Sequence, residues 1–507
     1  MNGSSSLLFE DSSVIPFEKN LKDSVEETPK DLTYCRAILL IIKYALPSCF
    51  GLVLRKLVDN INFYFIGKMD QPDYISGAGL AMLTLNITVI SLGIGLSGGV
   101  ETLSSQAFGS GKNYLAGCYY NRAQVIMAVM FIFQAIILFF SEDLLVLCGQ
   151  PKMAAKIAGD FIIKMIPGVW IVCQTELLRR FLTSQGVLYI VVNSQILSCI
   201  LHTIWLYLFI DVYGFGLDGV VYATTITYVL SFILPVLYIT FYKEVLKPQS
   251  WHCINGDSFT GLLEYLEFGV PSMIMLLLEV WGFEVLTLIA GTLGENELGA
   301  SIICVTFDAL IYQIALGMSI ALSSLIGNNL GSGRIRNSQI FINLATCMPI
   351  IFFVIVAYFY IFQGEAIARL FTEDQTLIDL IVSTFPIFVL HLLGDYIQTC
   401  HIGSIKAMGY QKYATVVCLL SFWLVSFPLT YVFTYIMDLR LTGVFLGIAV
   451  GYTVHAAVFL ILIYTTNMKK LSVKIQKRLE CSNRALNANG LRNVVEFSEM
   501  SDLLNSS

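Results

Sequence analysis

The chain has 507 residues, 56% of them hydrophobic and 13% charged, with a mean hydropathy of +0.74. That charge fraction is about half the ~25% of soluble domains, too little to coat a water-facing surface, so a soluble globular protein is excluded. The net charge of −6 lies mostly in tails and loops, and nothing in it points to a nucleic-acid partner.

Residues 1–36 are polar and acidic, with EDSS at 10–13 and VEETPK at 25–30. They lack a basic stretch leading into an apolar core, so no cleaved signal peptide is expected. A membrane-spanning helix needs about 20 mainly apolar residues. Twelve such runs follow, near 37–66, 76–103, 119–140, 157–182, 187–211, 217–242, 262–291, 298–325, 338–362, 377–405, 413–436 and 442–466. The polar stretch 243–261 separates the sixth from the seventh. After residue 467 the chain turns basic and then polar, and it reads as a disordered cytosolic extension. Within it, EMSDLL at 499–504 resembles an acidic dileucine sorting signal. Twelve cysteines are scattered singly with no CxxC or His/Cys cluster, so no disulfide framework, metal site or cofactor is expected.

Loops after the even-numbered runs carry Lys112/Arg122, Arg179/Arg180, Lys243/Lys247, Arg334/Arg336 and Lys406/Lys412, ten bases in all. The six opposite loops carry only Lys68, Lys152, Lys156, Arg369 and Arg440. Basic loops stay inside, so the even loops and both termini are expected in the cytosol. Lys469, Lys470, Lys474, Lys477 and Arg478 in the tail agree.

The chain repeats itself. QAFGSGK at 106–112 returns as NNLGSGR at 328–334, with Gly109 and Gly331 separated by 222 residues. ALPS at 45–48 returns as GVPS at 269–272, and LDGV at 217–220 as LTGV at 441–444, both 224 apart. SQG ending at Gly186 matches AMG ending at Gly409. A phosphate-binding loop does not explain GSGK: Gln106 stands where its first glycine belongs, and Asn113 where Ser or Thr must follow. The echoes instead divide the chain into an N-lobe (37–242) and a C-lobe (262–466) of six helices each. Six is even, so the copies are parallel repeats about an axis normal to the membrane. Paired halves with a site between them are how many transporters alternate access. The GSG motifs read as equivalent cytosolic turns, glycine permitting a tight backbone.

Residues 36–466 resemble the multidrug and toxic compound extrusion (MATE) family, most of all its eukaryotic branch. GLSGGVETLSSQAFGSG at 95–111 looks like the family's second-helix signature, and RRFLTSQG at 179–186 its fourth-helix end. VPSMIMLLLEVWGFEVLTLIAG at 270–291 is similar to the seventh-helix motif. ELGA at 297–300, Tyr312 and IGNNLGSG at 326–333 fit the eighth. The chain departs from the pattern at Leu325–Ile326, IKAMG (405–409) and Cys418. It departs again at Arg55 and Asp59, where the resemblance implies neutral residues.

An ionisable residue deep in a span costs about 2.5–3.5 kcal/mol, so it usually has a partner or a job. Glu279 and Glu284 share the seventh helix but point about 140° apart, so a straight helix cannot aim both into one cavity. The resemblance implicates both; Glu279 is the expected cavity acid, and local hydrogen bonds account for Glu284 equally well. In the tenth helix His391, Asp395, Gln398 and Thr399 fall at i, i+4, i+7 and i+8, one polar stripe. Asp395 takes the place of the family's acid there. His391 could stabilise it or simply hydrogen-bond a neighbour. Asp308 and Tyr312 share a face of the eighth helix, and Tyr312 matches a family position. Arg55 and Asp59, at i and i+4, are expected to form an internal ion pair. Asn62 stands where bacterial relatives carry Asp, so no proton site is expected there. Asn86 is a candidate lining residue of the N-lobe cavity, and Glu101 a cap or gate.

These residues, together with the resemblance, imply an all-α polytopic membrane protein of twelve transmembrane helices in two lobes that exports organic cations or xenobiotics. Carboxylates amid aromatics, here Glu279, Asp395, Asp308 and Glu284 with Trp281 and Tyr312, suit lipophilic cations through charge and cation–π contact. Protons can compete with the cation for such a site, which gives antiport. A sodium-coupled exporter would use the same acids. A lipid-linked oligosaccharide flippase would want a large cationic cavity instead. A channel or membrane enzyme would need a filter ring, metal ligands or a nucleophile–base pair. The expected setting is the bilayer of a plasma, vacuolar or endosomal membrane, with the monomer as working unit. Epitope tags at either terminus should be reachable by antibody only after permeabilisation; a tag labelled on intact cells would overturn the orientation.

Overall fold

The structure is a computed structural model that describes residues 32–69 and 71–505, with side chains to residue 488. The acidic stretches before residue 32 and the side chains of EMSDLL lie outside it. Twelve helices are long and apolar enough to cross a membrane. In the first half they are α1 (Tyr34–Gly67), α2 (Pro72–Gly109), α3 (Asn113–Phe139), α4 (Lys152–Ser184), α5 (Tyr189–Val212) and α6 (Leu217–Phe241). In the second they are α7 (Leu262–Leu293), α8 (Glu295–Gly331), α9 (Ile335–Phe362), α10 (Gln375–Met408), α11 (Gln411–Ile436) and α12 (Arg440–Thr465). Helices satisfy their own backbone polar groups, which lipid cannot do, and the described residues contain no strand.

Each half builds the same lobe. Packing of α1 on α5, α2 on α4 and α4 on α6 returns as α7 on α11, α8 on α10 and α10 on α12. Between lobes, α1 meets α8, α2 meets α7, and α2 meets α8.

The duplicated glycines lie at these crossings. A Cβ on Gly109 would land on the Asn328 carbonyl, and one on Gly331 on the Gln106 carbonyl. Gln106 and Asn328 are themselves equivalent in the repeat, so the contact is reciprocal. The same holds one level deeper, where Gly95 lies against the Met273 backbone and Gly317 against that of Cys49. Glycine is therefore used here mainly for close approach of helix to helix. The turn itself needs only Gly111 and Gly333, at φ +75° and +77°.

Hydrogen bonds seal this end of the molecule. Gln106 Nε2 donates to the Ala407 carbonyl at 2.6 Å, and Gln411 Nε2 to Thr102 Oγ1 at 2.6 Å. Ser324 Oγ donates to the Thr183 carbonyl and Asn328 Nδ2 to the Ser184 carbonyl, each at 3.0 Å. The seal also explains why α2 and α8 extend to Gly109 and Gly331, past apolar runs that end near 103 and 325. Those last turns are buried by protein, not lipid, so hydropathy does not register them.

The tail corrects its expected disorder. Residues 468–505 form a helix, α13 (Met468–Asn505), with Met468, Leu471, Ile475, Leu479 and Leu486 buried along one face. It straddles the lobes. Ser472 Oγ donates to the Leu330 carbonyl at 3.0 Å, and Arg478 bonds Gln106 and caps the Phe268 ring at 4.6 Å. Ser482 Oγ donates to Glu264 at 2.9 Å. The connector is equally engaged: His252 stacks on Tyr114 of α3 at 4.6 Å, and Tyr114 donates to Asp257 at 2.8 Å.

Alanine at Gly109 or Gly331 gains about 0.5–1 kcal/mol of helix propensity but meets unyielding backbone, and overpacking costs about 1–3 kcal/mol. The clash should win. On a background lacking the exposed native cysteines, a cysteine replacing buried Ser105 should react with maleimide faster once Gly109→Ala is added. Unchanged labelling would remove the close-approach argument.

Candidate functional site

The C-lobe site is built from α7, α8, α10 and α12. The polar stripe of α10 turns inward as a unit: His391, Asp395, Gln398 and Thr399 are all at most 2% exposed. Gly394 lets α10 ride directly on the α12 backbone at Tyr452–Thr453. Gln398 is the centre of the arrangement. Its Nε2 lies 3.2 Å from Glu279 Oε1, 3.1 Å from Asp395 Oδ1 and 3.0 Å from Thr399 Oγ1. Two hydrogens cannot serve three acceptors fully, so the network tolerates change. Thr399 Oγ1 also donates to Asp395 at 3.2 Å, and the Tyr312 hydroxyl lies beside Glu279, Asp395 and Thr399. Asp308 accepts from the Tyr396 hydroxyl at 3.2 Å.

His391 sits between the Phe388 and Tyr452 rings, at 5.2 and 5.1 Å, and neither ring nitrogen has a hydrogen-bond partner. Asp395 Oδ2 is likewise unpartnered. Ligand atoms of Asp308, His391 and Asp395 all lie within 4.8 Å of one another, a spacing that could surround a cation. Among the described residues, none of Glu279, Asp308 and Asp395 belongs to an ion pair. The cavity beside Asp308 and His391 measures about 10 Å³, room for about one water.

Five of the expected residues thus converge: Glu279, Asp308, Tyr312, His391 and Asp395. Two do not. Trp281 is 45% exposed on the stripe with Ile274 and Leu288, because two residues from Glu279 is over half a helical turn. Glu284 is half-buried without a charged neighbour and lines no part of this cavity.

In the N-lobe, Asn86 opens a π-helical turn (Asn86–Ile90) and lines a cavity of about 310 Å³ with Arg55, Lys56 and Asp59. Asn62 is buried, its Oδ1 3.0 Å from His202 Nε2 and accepting from Thr224 at 3.2 Å. The expected Arg55–Asp59 ion pair is absent from the ion pairs among the described residues. Both side chains line the cavity, near enough to feel each other's charge without closing a salt bridge.

Sequence reasoning missed a buried charge ladder. Arg179 and Arg180, counted as loop bases, are 6% and 4% exposed inside α4. Both pair with Glu176 one turn back; Arg179 Nε lies 3.0 Å and Arg180 Nε 3.1 Å from its carboxylate. Arg180 also binds Glu101 of α2, which faces Lys406 of α10 at 3.7 Å. Glu176 at i−3 and i−4 from the arginines was the available signal.

The MatE family model matches this chain twice, over 47–208 and 271–432, so both lobes carry the family pattern in register with the repeat. The chain is 25% identical over 464 residues to Protein DETOXIFICATION 14 of Arabidopsis thaliana, covering 91% of this chain and 93% of the relative. It is 26% identical over 468 residues to Multidrug and toxin extrusion protein 1 of Rattus norvegicus, covering 92% and 80%. Its fold matches the crystal structure of the eukaryotic MATE transporter AtDTX14 with a TM-score of 0.82, at 24% identity over 88% of this chain and 99% of that one. With both halves matched by the family model, the chain belongs to the MATE family of membrane transporters.

Proposed function

We propose that this transporter extrudes small organic cations in exchange for protons, with Glu279, Asp395 and Asp308 as the acids at which the two compete. One observation carries the reading: three buried carboxyls cluster without an ion-pair partner among the described residues. Buried charge without compensation is too costly to persist, so the cluster calls for protons or a bound cation. The water-sized cavity suits the protonated stage, and a cation would enter once the α7, α10 and α12 side chains part. Tyr312 and Tyr452 offer aromatic faces for a cation, with Gln398 free to follow either carboxylate. With the termini in the cytosol, the sealed end faces inward, and proton uptake occurs from outside or from an acidic lumen.

Sodium coupling is the second reading, favoured by the spacing of Asp308, His391 and Asp395. Hard cations prefer all-oxygen shells, and the imidazole makes a poor member of one. The proton is therefore the better fit.

In proteoliposomes, an outwardly directed proton gradient should drive uptake of tetraethylammonium. Glu279→Gln and Asp395→Asn should each abolish that uptake at near-normal protein yield. Uptake that follows an imposed sodium gradient and ignores pH would sink proton coupling. Undiminished uptake in both variants would sink the site.

A further inference from the structure

The N-lobe holds a second cavity whose charge is the reverse of the acid cluster. Arg55 and Lys56 line it against a single acid, Asp59, leaving an excess of one positive charge. Among the described residues Arg55 makes no hydrogen bond or close ion pair, and only the more distant charges of Asp59 and Glu176 offset it, although it lies within a span and is half-buried. An unpaired base at such depth is expensive to keep without a ligand or partner.

The repeat sharpens the contrast. Arg55 lies 224 residues before Glu279, the separation of Pro47 from Pro271 and of the two MatE matches. Asn86 lies 222 residues before Asp308, the separation of the GSG glycines. Equivalent positions of two like lobes therefore carry a base where the other carries an acid, and an amide where the other carries an acid.

A second observation points the same way. Arg55 also bounds an adjoining cavity of about 40 Å³, into which α4 brings the paired Arg179 and Glu176 and α5 brings Gln195 and Ser198. Arg179 Nη1 and Ser198 Oγ are buried there as donors without a hydrogen-bond partner, beside one open acceptor, Gln195 Oε1. Glu176 holds two nitrogens of the Arg179 guanidinium, and the third, with the Ser198 hydroxyl, is left for an anion to satisfy. Around the larger cavity, Phe63, Phe161 and Tyr228 supply ring surface, and Asn60 and Asn86 supply amides. Its volume is at the lower end of small-molecule sites, about 300–1,000 Å³.

We propose that the N-lobe cavity binds small aromatic monocarboxylates, with Arg55 as the fork for the carboxylate and Lys56 as a second cation beside it. An arginine fork pairs two N–H groups with two carboxylate oxygens, and one net positive charge matches a monoanion. Asp59 disfavours dianions and leaves an acceptor for a ligand hydroxyl. The site goes beyond the cation–proton reading and stands apart from it, because it uses the other lobe and none of the three acids.

Titration calorimetry on the purified full-length protein tests it with salicylate as the probe and benzyl alcohol as the uncharged ring control. Wild type should bind salicylate saturably at one site and show no saturable heat with benzyl alcohol. Arg55→Gln should weaken salicylate at least tenfold, and Lys56→Gln, at an exposed position, about threefold. Arg55→Lys keeps the charge but loses the fork, and should fall between wild type and Arg55→Gln. No saturable salicylate binding to wild type, equal binding of benzyl alcohol, or unchanged binding in both Arg55→Lys and Lys56→Gln would each overturn the proposal. The last comparison holds even if Arg55→Gln fails to fold. Tetraethylammonium uptake by wild type is scored separately, so either reading can fail alone.

Discussion

The contact between α2 and α8 sets the rest of the architecture. Two helices can meet backbone to backbone only where neither carries a side chain, and Gly109 and Gly331 provide that on both sides of one crossing. The crossing then fixes where α1 meets α8 and α2 meets α7, because Gly317 and Gly95 lie two turns or more further along the same two helices. Because each glycine meets the other lobe's equivalent of its own neighbour, the contact closes on itself about the repeat axis. Such an interface is either made or parted.

Charge crosses at the same place. Lys406 of the C-lobe faces Glu101 of the N-lobe, and Glu101 is held by Arg180 and, through Glu176, tied to Arg179. Parting the lobes removes Lys406 from Glu101 but leaves Glu101 its arginine, so the N-lobe keeps its buried acid compensated. Lys406 is left with the field of Glu279, the acid of its own lobe that it already feels. The lock between lobes and the acid cluster thus share one lysine. Breaking one partner of a buried pair without replacement costs about 3–5 kcal/mol; on the N-lobe side Arg180 remains with Glu101, which lowers that cost.

The fold was largely legible because lipid imposes simple rules: twelve apolar runs became twelve helices, and the fixed separation of ALPS and GVPS or of the GSG turns became two like lobes. The polar stripe of α10 was legible for the same reason, since His391, Asp395, Gln398 and Thr399 had nowhere to go but inward. What failed were readings of pairs along one helix. Arg55 and Asp59 are one turn apart and free to pair, yet both face a cavity that other helices create. Trp281 belongs to the same helix as Glu279 but to its opposite side, which a 100° step would have excluded. The docked tail carried an amphipathic spacing at Met468, Leu471, Ile475 and Leu479, but its high charge masked it. Composition reports the exposed face of a helix as loudly as the buried one.

The two lobes differ most where they are most alike. Their shared positions divide into contacts that keep the same residue and cavity positions that do not. Gly109 and Gly331, and Gly95 and Gly317, are kept, because a side chain at any of them would strike the facing helix. Arg55 and Glu279, and Asn86 and Asp308, have diverged in charge, because a cavity at the same depth in each lobe has no reason to hold the same ligand. A duplicated scaffold can change either pocket without touching the helix crossings between them. Substitutions that alter what this protein recognises should therefore collect on the cavity faces of α1, α2, α7 and α8, while the glycine crossings on those same helices stay fixed by sterics.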